Sequence, residues 1–357
     1  LERLLQVCEQ VGDPKLTFGM MPTVAWHEAM AGDLAGALER IELARAECLS
    51  PSPLTELWMG ACHTDILLVH GRPVSEVEAA AQPALEAALG WRIQNSHSAM
   101  VQSNVAEAML RAGQVGRAAA LLDPITEDDL VLDQWFIHRM RALLDVLRGR
   151  EAEAAARVAA LDELGLTWHA HEAERATIGA LAGVWRGDPA PAMERLLAAL
   201  EPILPTHESE YVGGCLVLAA RSAADRADGM MRSAAREKWL RTLQELRARA
   251  LRDPLSSDAV PADRRAQSAT WDAELARLCQ SATVEHWVRA AAEWDKLGRP
   301  HDAAYCRWRG AQTALTTRQA DLAVKLLRRS GRDAREHVPL LASIQQTAAA
   351  ARQQPGA

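Results

Sequence analysis

Phenylalanine and tyrosine are almost missing from this chain, two of each in 357 residues, so the aromatics that favour strands are scarce. Lysine is nearly as rare: Lys15, Lys238, Lys296 and Lys325 are the only ones among the 40 basic residues. No stretch comes near the roughly 20 apolar residues a membrane-spanning helix needs, which excludes a helical membrane protein. The six cysteines (Cys8, Cys48, Cys62, Cys215, Cys279, Cys306) have no paired spacing, which excludes a disulfide framework and points to small buried hydrophobes in a reducing cytosol. An excess of positive charge is also lacking. The formal net charge is −7, so a sequence-independent grip on nucleic-acid phosphates by this segment has no electrostatic basis.

What the chain does have is alanine, at 69 positions, with 49% hydrophobic and 24% charged residues. The best helix former dominating a composition too apolar for disorder predicts a soluble, all-α protein. The sequence starts at Leu1 inside an amphipathic pattern, without initiator Met or signal peptide. That predicts an excised part of something longer.

A short glycine-centred phrase recurs at Gly32-Asp33, Gly71-Arg72, Gly113-Gln114, Gly149-Arg150, Gly187-Asp188, Gly229 and Gly298-Arg299. The spacings are 39, 42, 36, 38 and 42, then 69 across an interruption. Each glycine ends one apolar-periodic run and opens another, as a left-handed residue does at a helix C-terminus. Seven residues before each stand Ala25, Thr64, Ala106, Ala142, Ala180, Ser222 and Ala291; five residues after stand Ala37, Glu76, Ala118, Ala154, Ala192, Ala234 and Ala303. Small residues on both helices of a hairpin let the backbones approach closely and leave bulky residues to pack on the next hairpin. Units that bury their faces against their neighbours predict an α-solenoid. The pattern breaks at Arg252 to Asp263, where Asp253-Pro254, Ser256-Ser257-Asp258 and Pro261 cluster. The expected organisation is a repeat solenoid over 1–251, a loop or hinge at 252–263, C-terminal helical repeats over 264–352 and a frayed tail at 353–357.

The unit from Ala25 to Ala44, with Gly32-Asp33-Leu34-Ala35-Gly36-Ala37-Leu38, resembles the turn and second helix of a tetratricopeptide repeat. The match is degenerate: Gly187 keeps Ala192 and Ala199, whereas Gly71 is followed by Glu76 and Pro83. From Trp271 to Arg309, and above all in the order Trp-x6-Trp-x3-Gly-Arg-Pro-x4-Tyr-x2-Trp-Arg from Trp287, the chain resembles the C-terminal helical-repeat region of large ATP-binding LuxR-type bacterial transcriptional regulators. That resemblance implies a right-handed superhelical array of tetratricopeptide-like hairpins between an ATP-binding module and a DNA-binding helix-turn-helix. Neither flanking signature is in this chain, which has no Gly-x4-Gly-Lys-Ser/Thr phosphate loop. The implied role is a regulatory or sensor region that binds a small-molecule effector or a protein or peptide partner. The alternative is a freestanding interaction scaffold. Either role is compatible with a homo-oligomer.

Carrying over the register in which the first helix of each hairpin faces the concave side places Trp26, Trp58, Asp65, Glu107, Arg111, Arg139 and Glu174 near a groove. Mixed charge with aromatic rings there suits a peptide, another domain or a small polar ligand. Of the eleven tryptophans, most are expected to pack between hairpins. No metal or other cofactor is expected. His169 and His171 are two apart on a helix and point away from each other, and Cys62-His63 with His70, or His301 with Cys306, lack further ligands. No Gly-x-Ser-x-Gly elbow occurs, and the acidic run Glu127-Asp128-Asp129 suits a helix start, so no enzyme activity is expected.

Overall fold

The structure is a computed structural model and describes residues 2–12, 14–47, 52–93, 95–125, 134–164, 169–204, 209–228, 233–250 and 263–353. Among these residues the chain is helical throughout, without strands, as the alanine content predicts. The helices are α1 (Glu2–Val11), α2 (Pro14–Met30), α3 (Leu34–Glu47), α4 (Pro53–Val69), α5 (Val74–Trp91), α6 (Ser96–Arg111), α7 (Val115–Leu122), α8 (Gln134–Leu147) and α9 (Glu151–Glu163). They continue as α10 (His169–Arg186), α11 (Pro189–Ile203), α12 (Ser209–Ala227), α13 (Ala234–Ala250), α14 (Arg264–Leu278), α15 (Val284–Lys296), α16 (Pro300–Thr316), α17 (Ala320–Asp333) and α18 (Val338–Gln353). None of the described helices is long and apolar enough to cross a membrane.

Six of the seven recurrent glycines are described, and all six adopt positive φ, from 63° at Gly298 to 99° at Gly32. At Gly32, Gly71, Gly149, Gly187 and Gly298 the glycine N–H donates to the carbonyl three residues back. The next N–H donates to the carbonyl five back, all at 2.8–3.1 Å. This double bond satisfies carbonyls that a helix end would leave bare, and it needs a left-handed residue. Gly229 lies outside the described residues.

The same turn occurs three more times without glycine. Arg92, Gln280 and Arg318 have φ of 51°, 58° and 58° and make the same pair of bonds, at 2.7–3.2 Å. Within the 69-residue gap in the glycine spacing Gln280 carries the turn between α14 and α15, and beyond Gly298 Arg318 carries it again between α16 and α17.

The small-residue columns are the close contacts between helices. Ala25, Thr64, Ala106, Ala142, Ala180, Ser222 and Ala291 are all buried, and Ala273 and Ala311 hold the equivalent places before Gln280 and Arg318. After the turns Ala37, Ala118, Ala154, Ala192 and Ala303 are buried, joined by Ala323 after Arg318. Glu76 departs from the column because Pro73 lengthens the turn by one residue, and the fully buried Val77 takes the inward place. Ala234 departs too and is exposed; on that helix Arg236 turns inward and donates to the Leu278 carbonyl.

The chain divides into two compact units. The first comprises 1–110, 117–140 and 257–262, the second 111–116, 141–256 and 263–357. In the first unit α2 packs on α3 and on α4, and α4 on α5. Ala25, Ala29, Ala37, Ile41, Ala44, Met59 and Ile66 form one core there. Gly60 is needed in this packing, since a Cβ there would lie 2.4 Å from that of Ala84. In the second unit α10, α11 and α12 pack in succession, α14 packs on α12, and α14 to α17 pack each on the next. The break expected at 252–263 falls, apart from Asp263, outside the described residues, as does the end of the tail at 354–357.

The first and last parts of the second unit meet. A Cβ on Gly113 would fall 2.7 Å from Pro300 and 3.3 Å from His301, and Gly116 donates to Glu336 at 2.6 Å. Gly149 faces Val338 and Pro339 at van der Waals distance. The glycine at 113 is thus required twice, once by its φ of 74° and once by this close approach.

Candidate functional site

The residues expected to line a groove fall in both units. In the first unit the Trp26 indole donates to the Asp65 carboxylate, and Trp58 donates to Thr23 at 3.2 Å and lies against the His97 ring. Glu107 pairs at 2.8 Å with Arg139, which is buried and also donates to Ser103 at 3.1 Å. Arg111 and Glu174 belong to the second unit and are half-buried. The expected residues therefore come together as two pairs, Trp26 with Asp65 and Glu107 with Arg139, with Trp58 engaged separately.

A denser constellation, not anticipated from the sequence, sits in the second unit. Helix α12 supplies Arg221 and Asp225 one turn apart, α14 supplies Glu274 and Arg277, and α16 supplies Tyr305, Trp308 and Arg309. Spacings of three and four put each set on one helix face. Trp185 comes from the end of α10, two residues before the Gly187 turn, and His337 from the turn into α18.

Their contacts form one connected network. Asp225 accepts from Arg277 at 2.7 Å and from Arg309, with the Arg221 Nε 3.6 Å away. Glu274, fully buried, accepts from Arg277 at 2.9 Å and from the Tyr305 hydroxyl, which in turn accepts from Arg309 at 3.1 Å. The Arg221 guanidinium lies 4.2 Å from the ring centres of both Trp185 and Tyr305, held between two π faces. Arg309 lies 4.4 Å from the Trp308 ring. Trp185 also stands edge-on to His337, whose ring touches that of His301.

The electrostatics follow from these neighbours. Burial pushes the Asp225 carboxyl up, but Arg309, Arg277 and Arg221 together overcome it and hold it at about 2. Burial raises the Tyr305 hydroxyl far above its ordinary range, so it stays a neutral donor. His337 is held well below its usual value by burial, with His301 and Arg221 adding to the effect; His301 is lowered chiefly by burial. Both imidazoles are therefore neutral at neutral pH. Arg221, Arg277 and Arg309 face Asp225 and Glu274, and Asp228 meets Arg277 from the rim, so three positive charges meet three negative ones. Asp228 meets Arg277 at 2.7 Å from a position more than half exposed and does not touch Arg221.

No group of three or more His, Cys, Asp or Glu that could hold a metal occurs among the described residues. The side chain of His169 lies outside them, as do Glu127, Asp128 and Asp129, while His70 bonds the Ala29 carbonyl at 3.1 Å. Cys62, Cys215 and Cys306 are buried free thiols, and burial raises all three, Cys215 to about 11; Cys279 is half-buried at the α14 turn. The tryptophans of the stretch singled out from the sequence, Trp287, Trp294 and Trp308, are buried with Tyr305 in one core of the second unit. Trp294 and Trp308 donate to Thr270 and Thr347, each at 2.8 Å. No protein-family model matches the sequence, and no curated protein matches it significantly.

Proposed function

We propose that this chain is a regulatory helical-repeat region, a right-handed superhelical α-solenoid of tetratricopeptide-like hairpins, that binds a ligand or partner and has no catalytic activity of its own. The observation that carries the reading is the recurrence of one turn, with one small-residue pair around it, from Gly32 to Arg318. Repeated hairpins of this kind expose long inner faces made of side chains from successive helices, a geometry used for binding. The network joining α10, α12, α14 and α16 supports the reading, since it brings charge and aromatic rings from several helices together in the second unit. The order of residues from Trp287 to Arg309 supports placing the chain among LuxR-type regulators, cytoplasmic, acting on DNA through other modules.

In this reading the bound state favours one arrangement of hairpins over another. Such a shift is as large as the ligand's differential affinity for the two arrangements. The test is the open reading frame on both sides of this segment. A phosphate-loop module upstream and a helix-turn-helix downstream are expected. Their absence would remove the link to transcription and leave a freestanding scaffold for a protein or peptide partner.

A further inference from the structure

Charge is unevenly shared between the two units. The first holds 8 basic and 20 acidic residues, a net charge of −12, and the second 32 basic and 27 acidic, a net charge of +5. On helix α17 of the second unit the positive sign is gathered on the outer face. That helix buries Ala323, Leu327 and Ser330 and turns Lys325, Arg328 and Arg332 outward at spacings of three and four, with Arg335 just beyond its end. All four cations are exposed, and none is paired with an acidic group among the described residues. The acid within that stretch, Asp333, is taken by Arg307 at 2.8 Å and Arg329 at 3.8 Å, and Asp321 stands in the first turn, where it suits the helix dipole.

Helix α3 of the first unit is its counterpart. It buries Ala37, Ile41 and Ala44, and both its arginines are engaged, Arg40 with Glu28 at 2.8 Å and Arg45 with the Ala80 carbonyl at 3.5 Å. What remains outside is acidic: Glu39, Glu42 and Glu47 are exposed and have no cation against them among the described residues. Each helix also shows an apolar side chain beside its charges, Leu43 on α3 and Val324 on α17. Like charges three or four residues apart on a helix repel, so both faces weaken their own helices until a surface of opposite sign covers them. For the cations of α17 that surface is not a polyanion such as nucleic acid, which the net charge of −7 on the whole chain works against. A second copy of the chain brings the acidic row and an apolar residue beside it.

We propose that the outer face of α17 docks on the outer face of α3 of a second copy of this chain, Lys325, Arg328 and Arg332 meeting Glu39, Glu42 and Glu47, with Val324 and Leu43 inside the contact. The two patches differ, so the contact is heterologous, each copy offering one face as donor of positive charge and the other as its receiver. Exposed ion pairs are individually weak, so the association rests on a row of them together with the apolar contact, and it is sensitive to salt. Complementary charge of this kind sets which surfaces meet and how fast. The inference is independent of the reading of this chain as a ligand-binding region, and neither test bears on the other.

The experiment is sedimentation velocity of the purified chain over a concentration series, at about 0.05 M and about 0.5 M salt. Concentration-dependent association at the lower salt, at least about tenfold weaker at the higher, is expected. Two charge-reversed variants follow, with helicity checked by circular dichroism: Arg328→Glu with Arg332→Glu, and Glu39→Arg with Glu42→Arg. Each alone carries like charge on both faces and should be monomeric. An equal mixture of the two pairs an acidic α3 with a basic α17 once more, and should associate as the unaltered chain does. A chain that stays monomeric at low salt, or one whose association ignores salt, overturns the proposal whether or not the variants fold. Association retained by either folded variant, or none in their mixture, overturns it equally. A monomer that is retained on duplex DNA or on anionic vesicles through Arg328 and Arg332 would give the face to a polyanion and sink the second copy as its occupant.

Discussion

The two units bury polar groups in different ways. In the first they are buried one contact at a time: Thr64 with Asn104 at 3.0 Å, Glu107 with Arg139, Trp26 with Asp65. Each of these contacts ties side chains of two helices, and Arg139 reaches Ser103 as well. In the second unit Asp225, Glu274, Tyr305 and three arginines share partners, so a single side chain answers to several helices at once. A shared network makes the placement of each helix depend on the others.

The contrast breaks most easily at its centre. Asp225→Ala leaves Arg277 and Arg309 without their common acceptor and is expected to destabilise the second unit by about 3–5 kcal/mol, whereas Asp65→Ala in the first unit should cost about 1–2 kcal/mol. Hydrogen exchange read separately over the two units measures both. Equal losses would show that the network is worth no more than one pair.

Acid should separate the units next. Asp225 sits at about 2, below its ordinary carboxylate value, so its contribution is complete above about pH 4 and disappears as pH falls towards 2. His63 in the first unit is lowered by burial, with help from Arg45, to about 4. Its unfolded form takes up a proton near pH 6.5, so the stability it supports is complete above that value and lost as pH falls from there to 4. The two effects are on the order of 2–3 kcal/mol, the larger at His63. Asp225→Asn should flatten the exchange profile of the second unit between pH 4 and 2, and His63→Asn that of the first between 6.5 and 4.

Packing at glycine gives a smaller contrast. Gly60→Ala forces a Cβ to 2.4 Å from Ala84 and should cost about 1–2 kcal/mol after the gain in helix propensity, while Gly310→Ala, with 3.1 Å to the Trp287 Cβ, should cost less. Urea midpoints of the two variants test the order. The smallest effects belong to the turns. Gly187→Ala meets no neighbour within 4 Å, so its expected loss of about 1 kcal/mol is that of a left-handed residue alone. Arg318→Gly at φ 58° should gain up to about 1 kcal/mol, unless contacts of the Arg318 side chain oppose it.

Much of the fold was legible because its rule is local. A left-handed turn prefers glycine, and two helices leaving it closely need small residues, so six turns and most of the two columns can be read from spacing. Gln280 and Arg318 were missed because the turn tolerates other residues at a modest cost, and a search for glycine does not see them. The Ala273, Ala311 and Ala323 that accompany them carry the signal that could have found these turns. The network around Asp225 was not legible, since residues it hydrogen-bonds lie up to 84 positions away in the chain and nothing local marks Arg221 as stacked rather than solvated. A hint remains in the i, i+4 pairing of Arg221 with Asp225 on a helix otherwise rich in alanine and leucine. The groove residues were chosen from one carried-over register, which captured the Trp26–Asp65 and Glu107–Arg139 partners but not the side chains that reach across several helices.

The recurrent turn has a consequence for how this chain tolerates change. Within a helix, one added residue rotates everything after it by about 100° and carries inward side chains to the surface. A left-handed turn starts the next helix afresh, so the error stops there, as the step from Glu76 to Val77 after the longer Gly71 turn illustrates. Spacings that wander between 36 and 42 residues are therefore no loss of order. The molecule keeps its phase by resetting it at every bend, and length can be edited between two bends without rewriting what lies beyond.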